Sequence, residues 1–240
     1  MTESLTGALL GVRGVHTYYG SSHVLQGVSL TVREGEVLGI LGRNGMGKTT
    51  LIHTVSGLIR PREGEITLGG RSIAGVPAER IARAGLCLVP QGHRVFPSLT
   101  VRENLKVAAR RGPWTIDDIA DRFPVLGERW NLPAGKLSGG QQQMLTMGRA
   151  LVGNGRLVLM DEPTEGLDPQ TVARIGEVVD ELRRRGTSAI LVEQKVDFAL
   201  RRVDRALVLE RGRVVHETAD PQALRTDAAA LRRLLAVGRM

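Results

Sequence analysis

Short apolar runs alternate with clusters of glycine and charge along this chain, and the spacing of those runs changes twice. Residues 8–41 carry brief apolar stretches punctuated by Gly and charged residues, the pattern of short strands. Glu36-Val-Leu-Gly-Ile-Leu41 is a nearly continuous apolar run and predicts a buried strand entering a glycine-rich loop. Residues 48–58 predict the helix that follows. Further strands are expected at 65–68 and 86–89, with a helical stretch near 78–84 between them. From about residue 98 the character changes. Segments 101–111, 116–123 and 138–152 predict helices, broken by Gly112-Pro113 and Leu132-Pro133. Alternation then resumes with a strand at 157–160, a helix at 169–185 and a strand at 188–192. Residues 206–209 and 214–216 predict a small hairpin around Arg211-Gly212, and the tail from Asp220 reads as helical.

Strands alternating with helices argue for an α/β fold with a mainly parallel sheet and helices on both faces. The expected organisation is one unit over 1–240, its core drawn from about 1–97 and 154–240, with a helical lobe over about 98–153 inserted between them. A chain of 240 residues is long enough to bury one sizeable core. Its longest apolar runs, such as 37–42, stop at six residues, whereas a membrane span needs about 20. The first six residues lack a basic region before an apolar stretch, so no secretory signal is visible and a cytosolic protein is expected. A single cysteine, Cys87, excludes an intrachain disulfide; its apolar surroundings predict a small core hydrophobe. The net charge of +8 is compatible with anionic partners. It is spread widely, however, with one run of three at Arg183–Arg185 and 29 arginines against four lysines. No nucleic-acid partner is expected from it.

The candidate chemistry begins at the loop Gly42-Arg43-Asn44-Gly45-Met46-Gly47-Lys48-Thr49-Thr50. A triphosphate concentrates negative charge, so its site needs many donors at close range. Gly42, Gly45 and Gly47 let the backbone curl with its N–H groups inward, and the helix starting near Lys48 adds its positive end. Lys48 supplies a point charge to the outer phosphates, and the Thr49 hydroxyl can ligate Mg²⁺. The apolar run 157–160 ends in Asp161-Glu162, which puts two acids at the C-terminal edge of a strand, where open α/β sheets bind ligands. Asp161 is suited to holding the metal, directly or through water. Glu162 points differently and is suited to polarising a water against the γ-phosphorus. The five histidines (His16, His23, His53, His93, His216) have no metal-ligand spacing.

A rarer run follows: Leu137-Ser-Gly-Gly-Gln141. Alone it could be an ordinary helix start with Ser138 as the cap. With the phosphate loop upstream it resembles the signature of ABC-type ATPases, whose motifs appear in order from Tyr19 to Gln194. The resemblance implies ATP and Mg²⁺ as ligands, an N-terminal antiparallel β subdomain beside a RecA-like core, and a helical signature lobe. It implies that Tyr19 stacks on adenine and that Gln91 contacts Mg²⁺ and the attacking water. It implies that Gly166-Leu-Asp168 couples two sites. It also implies that Ser138, Gly139, Gly140 and Gln141 meet the γ-phosphate held by a second ATP-binding subunit, so that nucleotide lies between two protomers. Gln194 stands where most of the family has a histidine; an amide can donate to phosphate but carries no charge.

With Gln194, the segments 18–23, 90–97 and 161–166 are similar to ATPases of branched-chain amino acid importers, and at least as similar to the urea and short-amide branch. Membership implies transmembrane permease partners, a substrate-binding protein in the full system, and a place on the cytoplasmic face of the cell membrane. A groove between core and lobe is then expected to receive a permease helix. Val95-Phe96-Pro97 offers an apolar surface for it, and Phe96 is equally suited to a local core anchor. A soluble ABC ATPase remodelling DNA or ribosomes is the competing reading. It is disfavoured by the single motif set and the absence of a Cys cluster. A P-loop kinase leaves residues 137–141 without a role.

Overall fold

The computed structural model describes residues 7–236; the expectation about residues 1–6 lies outside them. Strands β1 (Leu10–Tyr19) and β2 (Ser22–Val32) form a hairpin that turns at Gly20-Ser21. β3 (Val37–Leu41) leaves this sheet, and β4 (Glu63–Leu68) returns to pair antiparallel with β1, followed by the short β5 (Arg71–Ser72). The order is β2-β1-β4-β5.

The second sheet holds β3, β6 (Leu86–Val89), β7 (Leu157–Asp161), β8 (Ser188–Glu193), β9 (Arg205–Glu210) and β10 (Arg213–Thr218), in the order β10-β9-β3-β8-β7-β6. Its pairings are parallel except for the β9–β10 hairpin at the edge. β3, β7 and β8 are buried throughout, which explains their continuous apolar sequences. Alternate residues serve two cores. Val37, Val158, Met160 and Leu191 face one, and Leu38, Ile40, Leu159 and Ile190 face the other.

The first core is covered by α3 (Val101–Ala108), α4 (Ile116–Arg122), α6 (Gly139–Val152), α7 (Pro169–Arg184) and α8 (Val196–Leu200). The second is covered by α1 (Lys48–Val55), α2 (Ala78–Arg83) and the antiparallel sheet, which shares a face that the sequence pattern gives to helices alone. Leu105, Ile119 and Leu145 from the 98–153 segment belong to the same apolar cluster as Val158 and Ile175, so that segment is packed continuously onto the sheet.

Several ends differ from the predicted ones. α1 stops at Val55 because Gly57 (φ 76°) turns the chain, and Leu58 N–H donates back to the His53 carbonyl at 2.9 Å. α3 stops at Ala108 because Arg110 N–H donates instead to the Val152 carbonyl, at 2.8 Å. A short helix α5 (Pro124–Gly127), a 3₁₀ turn at Ala134–Lys136 and β5 add to the predicted elements. The tail forms α9 (Pro221–Thr226) and α10 (Ala228–Ala236). Cys87 is part-buried rather than fully buried, with burial raising its thiol pKa.

The topology delivers one consequence for chemistry. β3, β6, β7 and β8 run parallel, so Gly42, Gln91, Glu162 and Gln194 all follow the same edge of the sheet.

Candidate functional site

The loop after β3 curls as its glycines require. Gly47 sits in left-handed backbone (φ 101°) and precedes Lys48, the first residue of α1, with no side chain capping the helix. The first N–H groups of α1 therefore lack the usual side-chain acceptor and face the cleft. Loop and helix are braced from behind. The β9–β10 turn brings Gly212 N–H to the Met46 carbonyl at 3.0 Å, and the Gly212 carbonyl accepts from Gln26 N–H at 2.8 Å. A Cβ at Gly212 would meet the Val24 carbonyl oxygen at 1.8 Å, so only glycine fits this contact.

A cleft of about 320 Å³ opens on this loop. Asn44, Gly45, Gly47, Lys48, Thr49 and Thr50 form its floor. Tyr19, 51% exposed, and Val24 stand at one side; Gln91 and Glu162 stand at the other. Arg43 and Met46 contribute through their backbone. Lys48 Nζ donates to the carbonyls of Gly42 (2.8 Å) and Arg43 (3.0 Å), and Met46 carries the hairpin contact above.

Lys48 also pairs with Glu162, its Nζ 3.1 Å from Oε1, with both side chains almost fully buried. Removing one member of a buried pair strands the other charge, at a cost of about 3–5 kcal/mol. Glu162 itself lies in left-handed backbone (φ 48°), and its other carboxylate oxygen accepts from Gln194 Nε2. Gln194 thus reaches Glu162 although it does not line the cleft. Asp161 is fully buried; its Oδ1 accepts from the Thr49 hydroxyl at 3.3 Å, and its Oδ2 has no protein partner. Burial, with a smaller contribution from the nearby Glu162 charge, pushes the Asp161 carboxyl up to about 6, against the opposing Thr49 hydrogen bond. Gln91 Nε2 donates to Glu165 Oε2 at 2.6 Å, a partner the sequence reading did not include.

A further missed residue lies behind the acids. Glu193, 2% exposed, accepts from Thr164 N–H (3.1 Å), Thr164 Oγ1 (2.7 Å) and the backbone N–H of Gln194 (3.2 Å) and Lys195 (3.3 Å). It ties the chain just after Glu162 to the chain at Gln194. As an acid inside an apolar strand run, it was a signal available in the sequence.

Residues 138–141 are not in the cleft. Ser138 caps α6 in a reciprocal box: its Oγ accepts from Gln141 N–H at 3.4 Å, and Gln141 Oε1 accepts from Ser138 N–H at 3.1 Å. Ser138 and Gly139 are exposed. Gly140 packs so closely on the start of α7 that a Cβ would meet Thr171 Oγ1 at 2.9 Å. Asp168 caps α7 through the N–H groups of Gln170 and Thr171, both at 3.0 Å, and hydrogen bonds from Thr171 lower its pKa. Among the described residues no cluster of three or more His, Cys, Asp or Glu forms a metal-binding group.

A strand, a glycine loop with Lys-Thr at a bare helix start, and two acids at the same sheet edge on β7, one strand beyond β8, define an ATPase of the P-loop class. Residues 25–165 match the family model described as ABC transporter. The chain is 42% identical to the high-affinity branched-chain amino acid transport ATP-binding protein BraG of Pseudomonas aeruginosa, over 88% of this chain and 93% of that one. It is 32% identical to the lipopolysaccharide export system ATP-binding protein LptB of Haemophilus influenzae, over 92% of this chain and 94% of that one. Its fold matches the dimeric post-hydrolysis structure of the ATP-binding cassette MJ0796 bound to ADP and Pi, with TM-score 0.77 and 26% identity, covering 87% of this chain and 97% of that one. The chain belongs to the ABC transporter family, as an ATP-binding subunit that hydrolyses ATP.

Proposed function

We propose that this subunit powers import of branched-chain amino acids. It would work as one of two facing ATP-binding subunits on the cytoplasmic side of a permease that is fed by a substrate-binding protein. The observation that carries the cargo reading is the 42% identity to BraG over most of both chains. Among the described residues no helix is long and apolar enough to cross a membrane.

In this reading the bare N-terminus of α1, Lys48 and the loop 42–50 hold the phosphates, and Tyr19 takes the adenine. The unpartnered Asp161 Oδ2 beside the Thr49 hydroxyl suits a hard cation, so Thr49 and Asp161 would hold Mg²⁺, with Gln91 beside them. Bound there, the metal would neutralise charge developing on the phosphate oxygens. Glu162 accepts a proton from water; the water oxygen bonds to the γ-phosphorus as the β–γ bridging bond breaks, leaving ADP and phosphate. Gln194, donating to one Glu162 oxygen, keeps the other turned inward. Ser138, Gly139, Gly140 and Gln141 would complete the pocket of the opposite protomer. Their position outside their own cleft, on an exposed helix start, supports that assignment.

A groove of about 540 Å³ between β6 and the helices α3 and α6 suits the permease. Phe96 forms its wall, 42% exposed and with the Arg149 guanidinium 4.4 Å above its ring, which favours a docking role over a core anchor. Uptake of labelled leucine and labelled urea by cells lacking this chain tests the cargo. Loss of leucine uptake alone supports the reading; loss of urea uptake alone moves the subunit to the urea and short-amide branch.

A further inference from the structure

A hydrogen-bonded line crosses the interior from the segment after Gln91 to the residue after Glu162. His93 begins it, in left-handed backbone (φ 51°), with its ring against the start of α6; a Cβ on Gly139 would lie 3.7 Å from its Nε2. Its Nδ1 stands 2.9 Å from Gln143 Oε1. Gln143 is 2% exposed, and its Nε2 donates to the Pro163 carbonyl at 3.0 Å. A carbonyl only accepts, so the amide must turn its NH₂ to Pro163 and its oxygen to His93. His93 Nδ1 must then carry a proton. Each link in the line is thereby determined.

Packing does not ask for glutamine here, since Leu145 and Met147 of the same helix are buried in the apolar cluster. A buried amide is tolerated only when both ends are satisfied, as they are. What the line holds is the chain immediately after Glu162, whose left-handed backbone persists only where its surroundings enforce it. Glu193 fixes Thr164 from one side, and Gln143 fixes Pro163 from the other. At the far end, Arg149 donates to the Arg94 carbonyl at 2.7 Å, so the groove wall is bound to α6 next to His93.

We propose that Gln143 is a positioning residue for ATP hydrolysis: through the Pro163 carbonyl it holds Glu162 where it can take a proton from the attacking water, and through His93 it ties that geometry to the position of segment 91–96. The proposal rests on Glu162 being the base. It is tested in the full chain with Gln143→Leu, His93→Phe and the double variant, measuring kcat, ATP affinity and melting temperature. Gln143→Leu lowers kcat about tenfold while ATP affinity changes less than about twofold. His93→Phe keeps a flat ring but loses the donor, and lowers kcat about threefold. The double variant is no slower than Gln143→Leu, because His93 acts only through the amide. Gln143→Glu, which keeps the acceptor for His93 but turns an oxygen toward Pro163, matches Gln143→Leu.

An additive double variant, or losses of kcat and ATP affinity in equal proportion, overturns the proposal. If Gln143→Leu does not fold, an unchanged kcat in His93→Phe overturns it alone. Persistent turnover in Glu162→Gln removes the base assignment instead, so the two failures are distinguishable.

Discussion

Helix α1 follows a glycine, Gly47, and helix α6 begins with one, Gly139, yet their first N–H groups are treated in opposite ways. α1 has no side-chain cap, starts inside a cleft, and is supported by distant parts of the chain: Glu162, Asp161 and the turn at Gly212. α6 carries its own capping box, and Ser138 and Gly139 at its start are exposed. The first start has no side-chain acceptor for its donors; the second is a finished local structure that presents itself outward. Tertiary packing builds one and four consecutive residues build the other. α1 therefore suffers from changes almost anywhere around its start, while the start of α6 responds mainly to changes in its own capping residues.

The comparison breaks most sharply at Lys48. Lys48→Ala removes the phosphate charge and leaves Glu162 buried without its cation, so ATP turnover in a phosphate-release assay drops by at least about a hundredfold. Activity near the unmodified level would remove the cleft from the chemistry. On the other helix, Ser138→Ala costs about 1 kcal/mol of capping, and nucleotide affinity of the monomer by calorimetry stays the same. Turnover falls about tenfold nonetheless, because the loss is felt in the facing subunit. Equal losses of affinity and turnover would place 138–141 in their own cleft.

The Asp161 carboxyl, raised to about 6, gives a third contrast. Between its ordinary range and pH 6 the folded chain holds a proton that the unfolded chain has released. Ligand-free stability therefore falls as pH rises through that window. A cation needs the ionised form, so Mg-ATP affinity drops about tenfold per unit below pH 6, whereas ATP in EDTA lacks this step. Calorimetry at pH 5, 6 and 7.5 separates the two, and parallel pH profiles would exclude Asp161 from the metal. The smallest effect falls on Gln194. Gln194→Ala slows turnover several-fold, about 1 kcal/mol of barrier, with little change in ATP affinity, since its amide touches Glu162 rather than the cleft.

The same contrast explains what could be read from the sequence. α6 was legible almost to the residue because its cap and period are local. β3 and the glycine loop were legible because a buried parallel strand is apolar without a break. The ends of α1 and α3 were not, since Gly57 and the Arg110–Val152 hydrogen bond stop them, the latter from outside the helix. Nor was it visible that the antiparallel strands share the second core with α1 and α2. Within the site, motif residues announced themselves, and of their supports only Glu193, an acid in an apolar strand run, left a local signal. Glu165 meets Gln91 from 74 residues away and Gln143 meets His93 from 50, separations at which no local pattern carries a signal.

In the proposed assembly ATP is held between two copies of such a subunit, the cleft of one closed by the α6 start of the other. Glu162→Gln, purified with Mg-ATP and run on size exclusion with light scattering, tests it most directly. The expected result is a species of twice the monomer mass that reverts to monomer when Ser138 is also changed to Arg. A monomer that binds ATP with full affinity and never associates would contradict it.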